Sequence, residues 1–288
     1  MLFDYLVIGH ATRDLDGSTY RLGGTAAYAA RTAGNLGCRV GIITSVGSHL
    51  DLREQLGNVL ISRLVAPAST TFENVYTEAG RQQLVHSIAH PLGRAAVPNG
   101  WKTRLVHVGP VAQECDPALV NAFPRAFVGV TAQGWMRQWD EAGRVRHRRW
   151  KEADLVLPRA DAVVFSEEDL GEDGSVASEY ARETRCVALT RGAAGCTVFA
   201  DGQVRHFPAP KVEEVDPTGA GDVFAASFFY ALQRGHDAWT SARFATCTAS
   251  RSVMRTGLLG APQKPEIAYC WRVALMNEGN DDHHLRAG

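Results

Sequence analysis

The chain lacks a surplus of charge, a paired cysteine motif, a P-loop and a long apolar run, and each absence closes off a class of function. Lys+Arg 30 against Asp+Glu 31 leaves no basic footprint for nucleic acid and no polybasic patch for a membrane surface. Six cysteines (Cys38, Cys115, Cys186, Cys196, Cys247, Cys270) are scattered without a C-x-x-C pair, which excludes a zinc knuckle and predicts reduced thiols. No G-x-x-x-x-G-K-[ST] occurs, so a P-loop nucleotidase is excluded. The segment Met1 to Gly9 carries Asp4 where a signal peptide would be positive, and no apolar stretch approaches the ~20 residues of a membrane span. The expectation is a soluble, cytoplasmic protein with a small-molecule ligand, binding neither membrane nor nucleic acid.

What is present is an alternation of buried-strand and helix patterns. Apolar, β-branched runs at Tyr5–Gly9, Arg39–Ser45, Arg104–Gly109, Ala126–Thr131, Ala162–Phe165 and Cys186–Thr190 read as strands. Thr25–Leu36, Pro117–Phe123, Gly174–Glu183 and Val223–Arg234 read as helices between or after them. That order predicts an α/β fold, a mainly parallel sheet with helices on both faces and ligands beyond the carboxyl ends of its strands. No linker interrupts residues 1–276, expected as one domain. Residues 277–288 are polar and aperiodic, expected as a disordered tail.

The richest segment is Asp216-Pro217-Thr218-Gly219-Ala220-Gly221-Asp222, followed by an Ala- and Phe-rich run without Gly or Pro until Gly235. Glycines let an anion approach backbone amides closely, and a helix opening near Asp222 would favour that anion by roughly 0.3–2 kcal/mol. Asp222 at the entrance suits a base facing an acceptor hydroxyl; a helix N-cap on a plain turn is equally compatible.

This segment resembles the signature of the ribokinase/PfkB carbohydrate kinases, and further pieces lie in that family's order along nearly the whole chain. The resemblance implies a ribokinase-like three-layer sandwich with a small β lid, here reduced. Only eight residues, Leu15 to Leu22, separate Asp14 from Gly23, and lid elements are expected at about 14–23 and 70–90, the latter a hairpin turning at Ala79-Gly80-Arg81. His86 and His90 on the return strand are candidate substrate contacts or solvated surface groups.

The same resemblance implies roles residue by residue. Asp14 would bind hydroxyls of the acceptor, beside Gly23-Gly24, where paired glycines bring backbone to the substrate. Thr25 and Tyr28 stand where many members carry Lys and Asn. Gln133 and Arg137 fall in the family's Asp-x-Asn-x-x-Arg region, with Thr131 and Gln133 in place of Asp and Asn. Ser166 and Asp169 fall on its Asn-x-x-Glu motif, which makes Asp169 the candidate for Mg²⁺, held partly through water; a capped helix start explains the same pair. Thr190, Gly192 and Gly195 resemble the nucleotide-phosphate segment, joined by Thr218, Gly219, Gly221 and Gly257. Asp216 is the candidate ligand of a monovalent cation such as K⁺.

The implied activity is ATP-dependent phosphorylation of a sugar or polyol hydroxyl, with Asp222 as base, Gly219, Ala220 and Gly221 as the anion hole, and ATP and Mg²⁺ as cofactors. The short lid, Tyr28 and Gln133-Gly134 point toward inositol- or fructokinase-like branches. A nucleoside kinase of the same fold and a non-catalytic sensor are the alternatives; a monomer and a homodimer are both open. A carboxylate at a helix start is expected to have a lowered pKa.

Overall fold

The computed structural model describes residues 1–77, 80–171 and 175–276. Along the chain, β1 (Leu2–Ile8), β2 (Thr12–Asp16) and β3 (Thr19–Gly23) lead into α1 (Thr25–Asn35), β4 (Val40–Gly47), α2 (Leu52–Leu56) and β5 (Leu60–Ala66). A hairpin of β6 (Thr71–Thr77) and β7 (Gly80–Ser87) follows, then β8 (Lys102–Val108), β9 (Phe127–Thr131), β10 (Arg137–Trp139), β11 (Val145–His147), α3 (Ala153–Val156) and β12 (Ala162–Ser166). The last third holds α4 (Val176–Glu183), β13 (Cys186–Thr190), β14 (Cys196–Ala200), β15 (Gln203–Phe207), α5 (Ala220–Gln233), α6 (Ala238–Ser252) and α7 (Lys264–Met276).

Nine strands form one sheet in the order β15-β14-β13-β12-β9-β8-β1-β4-β5, parallel from β13 to β5 and antiparallel at β14 and β15. Alternation along each strand divides the core between two faces. Tyr5 and Val7 pack under α1, α5 and α6, whereas Leu6 and Ile8 join Trp135, Trp150, Val156 and Tyr180 on the opposite side. β4 is buried at every residue, as a central parallel strand covered on both faces must be. The result is the expected three-layer sandwich.

α5 is the helix that matters for the site. Phe228 and Phe229 are fully buried, each worth about 1.5–3 kcal/mol of apolar burial. Gly129 in β9 makes room: a Cβ there would overlap the ring of Phe229. The aromatic side chains thus press α5 onto the sheet and fix its first turn above the strand ends.

A second sheet, ordered β3-β2-β6-β7, stands over those ends. Its β2–β3 hairpin occupies the short Asp14-to-Gly23 segment, and the β10–β11 hairpin continues from β7, where Val85 N–H donates to Gly143 O at 2.8 Å.

Several expectations are corrected. The helix expected at Pro117–Phe123 is a 3₁₀ turn over Pro117–Asn121, started by Pro117 and capped by the Asp116 side chain. Cys247 and Cys270 form a disulfide joining α6 to α7, 23 residues apart, so the thiols are not all reduced; Cys38, Cys115, Cys186 and Cys196 are free. Scattered spacing concealed a pair that meets only because two helices pack. The expected tail 277–288, the turn residue Ala79 and the start of the helix at Gly174 lie outside the described residues. No helix among the described residues is long and apolar enough to cross a membrane.

Candidate active site

The glycine turn opens α5, but one turn earlier than the sequence suggested. Gly219, not Asp222, is the N-cap, in the left-handed region at φ 80°, and α5 begins at Ala220. Any side chain at Gly219 would be strained by that backbone and would overlap the ring of Tyr28. Ala220 N–H donates to Pro217 O at 3.2 Å, and the first helical bond is Val223 N–H to Gly219 O at 2.9 Å. The first-turn amides at Gly221 and Asp222 therefore lack intrahelical partners and carry the positive end of the helix dipole. A Cβ at Gly221 would meet nothing within 4 Å, so the space beside this turn is open.

Asp222 is drawn upward rather than downward. Burial raises its pKa to about 6, against a hydrogen bond from Thr25 and the charge of Arg137, with Asp14 and Asp169 adding to the rise. The direction is opposite to the lowering expected at a helix start, and desolvation is the largest cause. Thr25 is 2 % exposed, at the first position of α1, and its side chain hydrogen-bonds Asp222.

α1 owes its start to Gly24, the N-cap at φ 80°. A Cβ on Gly24 would press on His10 O, and one on Gly23 would overlap the Asp14 carboxylate. Asp14 accepts from Thr12 Oγ1 at 2.8 Å; in the β2–β3 register Thr12 stands opposite Gly23 and Asp14 opposite Arg21. Tyr28 lies between these groups: burial first, then Asp14, Asp216 and Asp222, push its phenol well above the usual range, while Arg21 opposes. Asp14, Tyr28, Gly219 and Asp222 are thereby brought to one place.

The segment after β9 supplies the positive charge. Arg137 acts on both Asp222 and Asp169, lowering each, and its Nη1 reaches Val111 O at 3.4 Å. Gln133 hydrogen-bonds Asp169. Asp169 is 8 % exposed and completes a capping box with Ser166: Ser166 N–H donates to Asp169 Oδ2 at 2.9 Å, and Glu168 N–H to Ser166 Oγ at 3.2 Å. Burial raises the Asp169 pKa despite Arg137. Among the described residues no group of three or more His, Cys, Asp or Glu is arranged to hold a metal. A single carboxylate at a strand end still fits Mg²⁺ held mainly by water and phosphate oxygens.

Asp216 ties two loops. Its oxygens accept from Thr218 N–H at 3.0 Å and Gly257 N–H at 2.9 Å, and Arg21 approaches at 3.4 Å. Burial would raise its carboxyl, but Thr218, Gly257 and Arg21 hold it below the usual range. Both oxygens are engaged by N–H donors, so Asp216 orders the turn whether or not a cation joins it.

Thr190 closes β13 beside Ser166 in register, and Arg191 reaches Glu167 at 3.5 Å. Gly192 and Gly257 have positive φ and open space where a side chain would stand. Gly195 differs: a Cβ there would overlap Phe207 O, so its role is packing. His86 pairs with Glu73 on the exposed face of the lid at 2.7 Å, and the His90 carbonyl accepts from His10 Nε2 at 2.9 Å. Sequence reasoning missed Thr12, Arg21, Gln113 and Glu114. The first two lie outside the motifs quoted for the acceptor side, the others in an apolar loop without a motif.

The pfkB family carbohydrate kinase model matches residues 137–264. The chain is 28 % identical over 257 residues to a cytidine kinase of Thermococcus kodakarensis, covering 81 % of this chain and 90 % of the relative. It is 29 % identical over 260 residues to a fructokinase of Klebsiella pneumoniae, covering 78 % and 83 %. Its fold is similar to that of a pyrophosphate-dependent kinase of the ribokinase family solved with a pyrophosphate analogue and myo-inositol, at TM-score 0.76, 21 % identity and coverage of 92 % and 99 %.

Proposed function

We propose that this chain, which is similar over residues 137–264 to the pfkB family of carbohydrate kinases, transfers a phosphoryl group from ATP to a hydroxyl of a sugar or polyol. The observation that carries the reading is Asp222: a carboxylate with pKa about 6, held by Thr25, within the same turn as the open amides of an anion hole. A donor phosphate oxygen accepts from the Gly221 and Asp222 amides while Asp222 orients the acceptor hydroxyl and takes its proton.

The other residues divide the work by chemistry. Asp14, fixed by Thr12, accepts from hydroxyls of the acceptor. Arg137 faces the transferred group and offsets charge that develops there. Thr190, Gly192 and Gly257 leave room for the donor's distal phosphates. Mg²⁺, when bound with the donor, would neutralise phosphate charge, with Asp169 holding it through water. A carboxyl raised to about 6 is better matched to proton removal near neutrality than one at the usual value, and such help is worth about 10²–10⁴-fold. The lid, standing over the strand ends, excludes water that would compete as acceptor.

A nucleoside acceptor is the second reading. It is favoured by the similarity over most of the chain to a cytidine kinase. The deciding experiment is a product assay over sugars, inositols and nucleosides, run with ATP and with pyrophosphate as donor. Phosphorylation of one acceptor class is the expected result, and no turnover with any pair contradicts the proposal.

A further inference from the structure

Among the described residues, two non-glycine residues have a positive φ, Gln113 at 59° and Asp201 at 51°. Asp201 sits at the β14–β15 turn, where such a backbone is ordinary for Asp. Gln113 is different. It follows a loop wound around one buried carboxylate: Glu114 accepts from Val111 N–H at 3.0 Å, Ala112 N–H at 2.7 Å and His10 N–H at 3.0 Å. A glycine would satisfy that backbone with less strain, so the side chain calls for a reason of its own.

The side chain is fully engaged. Gln113 Nε2 donates to Arg137 O, and its Oε1 accepts from Arg148 Nη1 at 3.2 Å. Arg148 in turn donates through Nε to Trp135 O at 2.7 Å, through its backbone N–H to Met136 O at 2.8 Å, and through Nη2 to both oxygens of Glu152 at 2.7 Å. The three consecutive carbonyls of Trp135, Met136 and Arg137 are thus each held by Gln113 or Arg148. Those carbonyls lie where the 3₁₀ turn Gln133–Met136 passes into β10, the point from which the guanidinium of Arg137 starts.

We infer that Gln113 is a positioning residue, which with Arg148 fixes the Arg137 backbone so that its guanidinium faces the phosphoryl group in flight. The inference rests on the reading of Arg137 given above. Displacement of a reacting contact by about 1 Å costs on the order of 10²-fold, so loss of one of two tethers is expected to cost about tenfold.

The test is a double-mutant cycle of Gln113→Gly and Arg137→Ala in the full chain, with two readouts. One is kcat and KM with the best acceptor found; the other is the affinity for sulfate by calorimetry, which needs no acceptor. Gln113→Gly is expected to keep Tm within about 3 °C, because removing the side chain also removes the strain. It should lower kcat about tenfold at little change in acceptor KM and weaken sulfate, and both effects should shrink below about twofold in the Arg137→Ala background. Equal losses in both backgrounds, or no loss on either readout, overturn the inference. Absence of turnover in the unmutated protein would count against the proposed function alone, since the sulfate cycle still decides the role of Gln113.

Discussion

The proposed donor and acceptor ends of the site are built from different materials. The donor end is backbone: the turn at Gly219, the first amides of α5 and the open glycines Gly192 and Gly257. The acceptor end is side chains, Asp14 held by Thr12, Tyr28 beneath Gly219, and Arg137 tethered by Gln113 and Arg148. Backbone donors suit a ligand part common to many substrates, because they offer charge and little shape. Side chains on a lid and on strand ends can be exchanged singly, so acceptor preference can change while the anion hole stays as it is.

That contrast can be broken at its centre first. Asp222→Asn should leave fold and donor binding intact and lower turnover about 10²–10⁴-fold, read by steady-state rates beside a thermal melt. Turnover within about threefold would remove Asp222 from the chemistry. Next is Gly219→Ala, where a left-handed backbone costing about 1–2 kcal/mol and overlap with Tyr28 act together. Its Tm should fall, and turnover should drop about a hundredfold through misplacement of the amides. Gly221→Ala, with open space at its Cβ, is the control and should melt like the parent. The smallest effect belongs to Arg21→Gln: the bridge to Asp216 spans 3.4 Å from a half-exposed guanidinium, so less than about 1 kcal/mol and a KM change below about fivefold are expected. A larger loss would mean that Arg21 itself touches substrate.

The same contrast explains what could be read in advance. The sheet was legible because central strands such as β1 are apolar at nearly every position, and the glycine turn because left-handed backbone has few other occupants. Asp14, Gly23-Gly24 and Asp222 were found through motif and order. The tuning of Asp222 was not, since its sign depends on how completely Thr25, Tyr28 and the lid exclude water. Nor was the support behind Arg137: Gln113 and Arg148 are 35 residues apart and meet only after the loop has wrapped Glu114. The Cys247–Cys270 bond was missed for the same reason, contact between helices that no spacing announces.

The account stands on a base raised by burial and restrained by Thr25. The most direct measurement is therefore the acid limb of kcat/KM in the unmutated protein and in Thr25→Val. As a base, Asp222 must be ionised, so the rate should fall below pH about 6 in the parent. Removing a hydrogen bond to the charged form, worth about 1.5–3 kcal/mol, should move that limb upward by about 1–2 pH units. An unchanged limb in Thr25→Val, or a parent profile flat down to the ordinary carboxylate range, would contradict it.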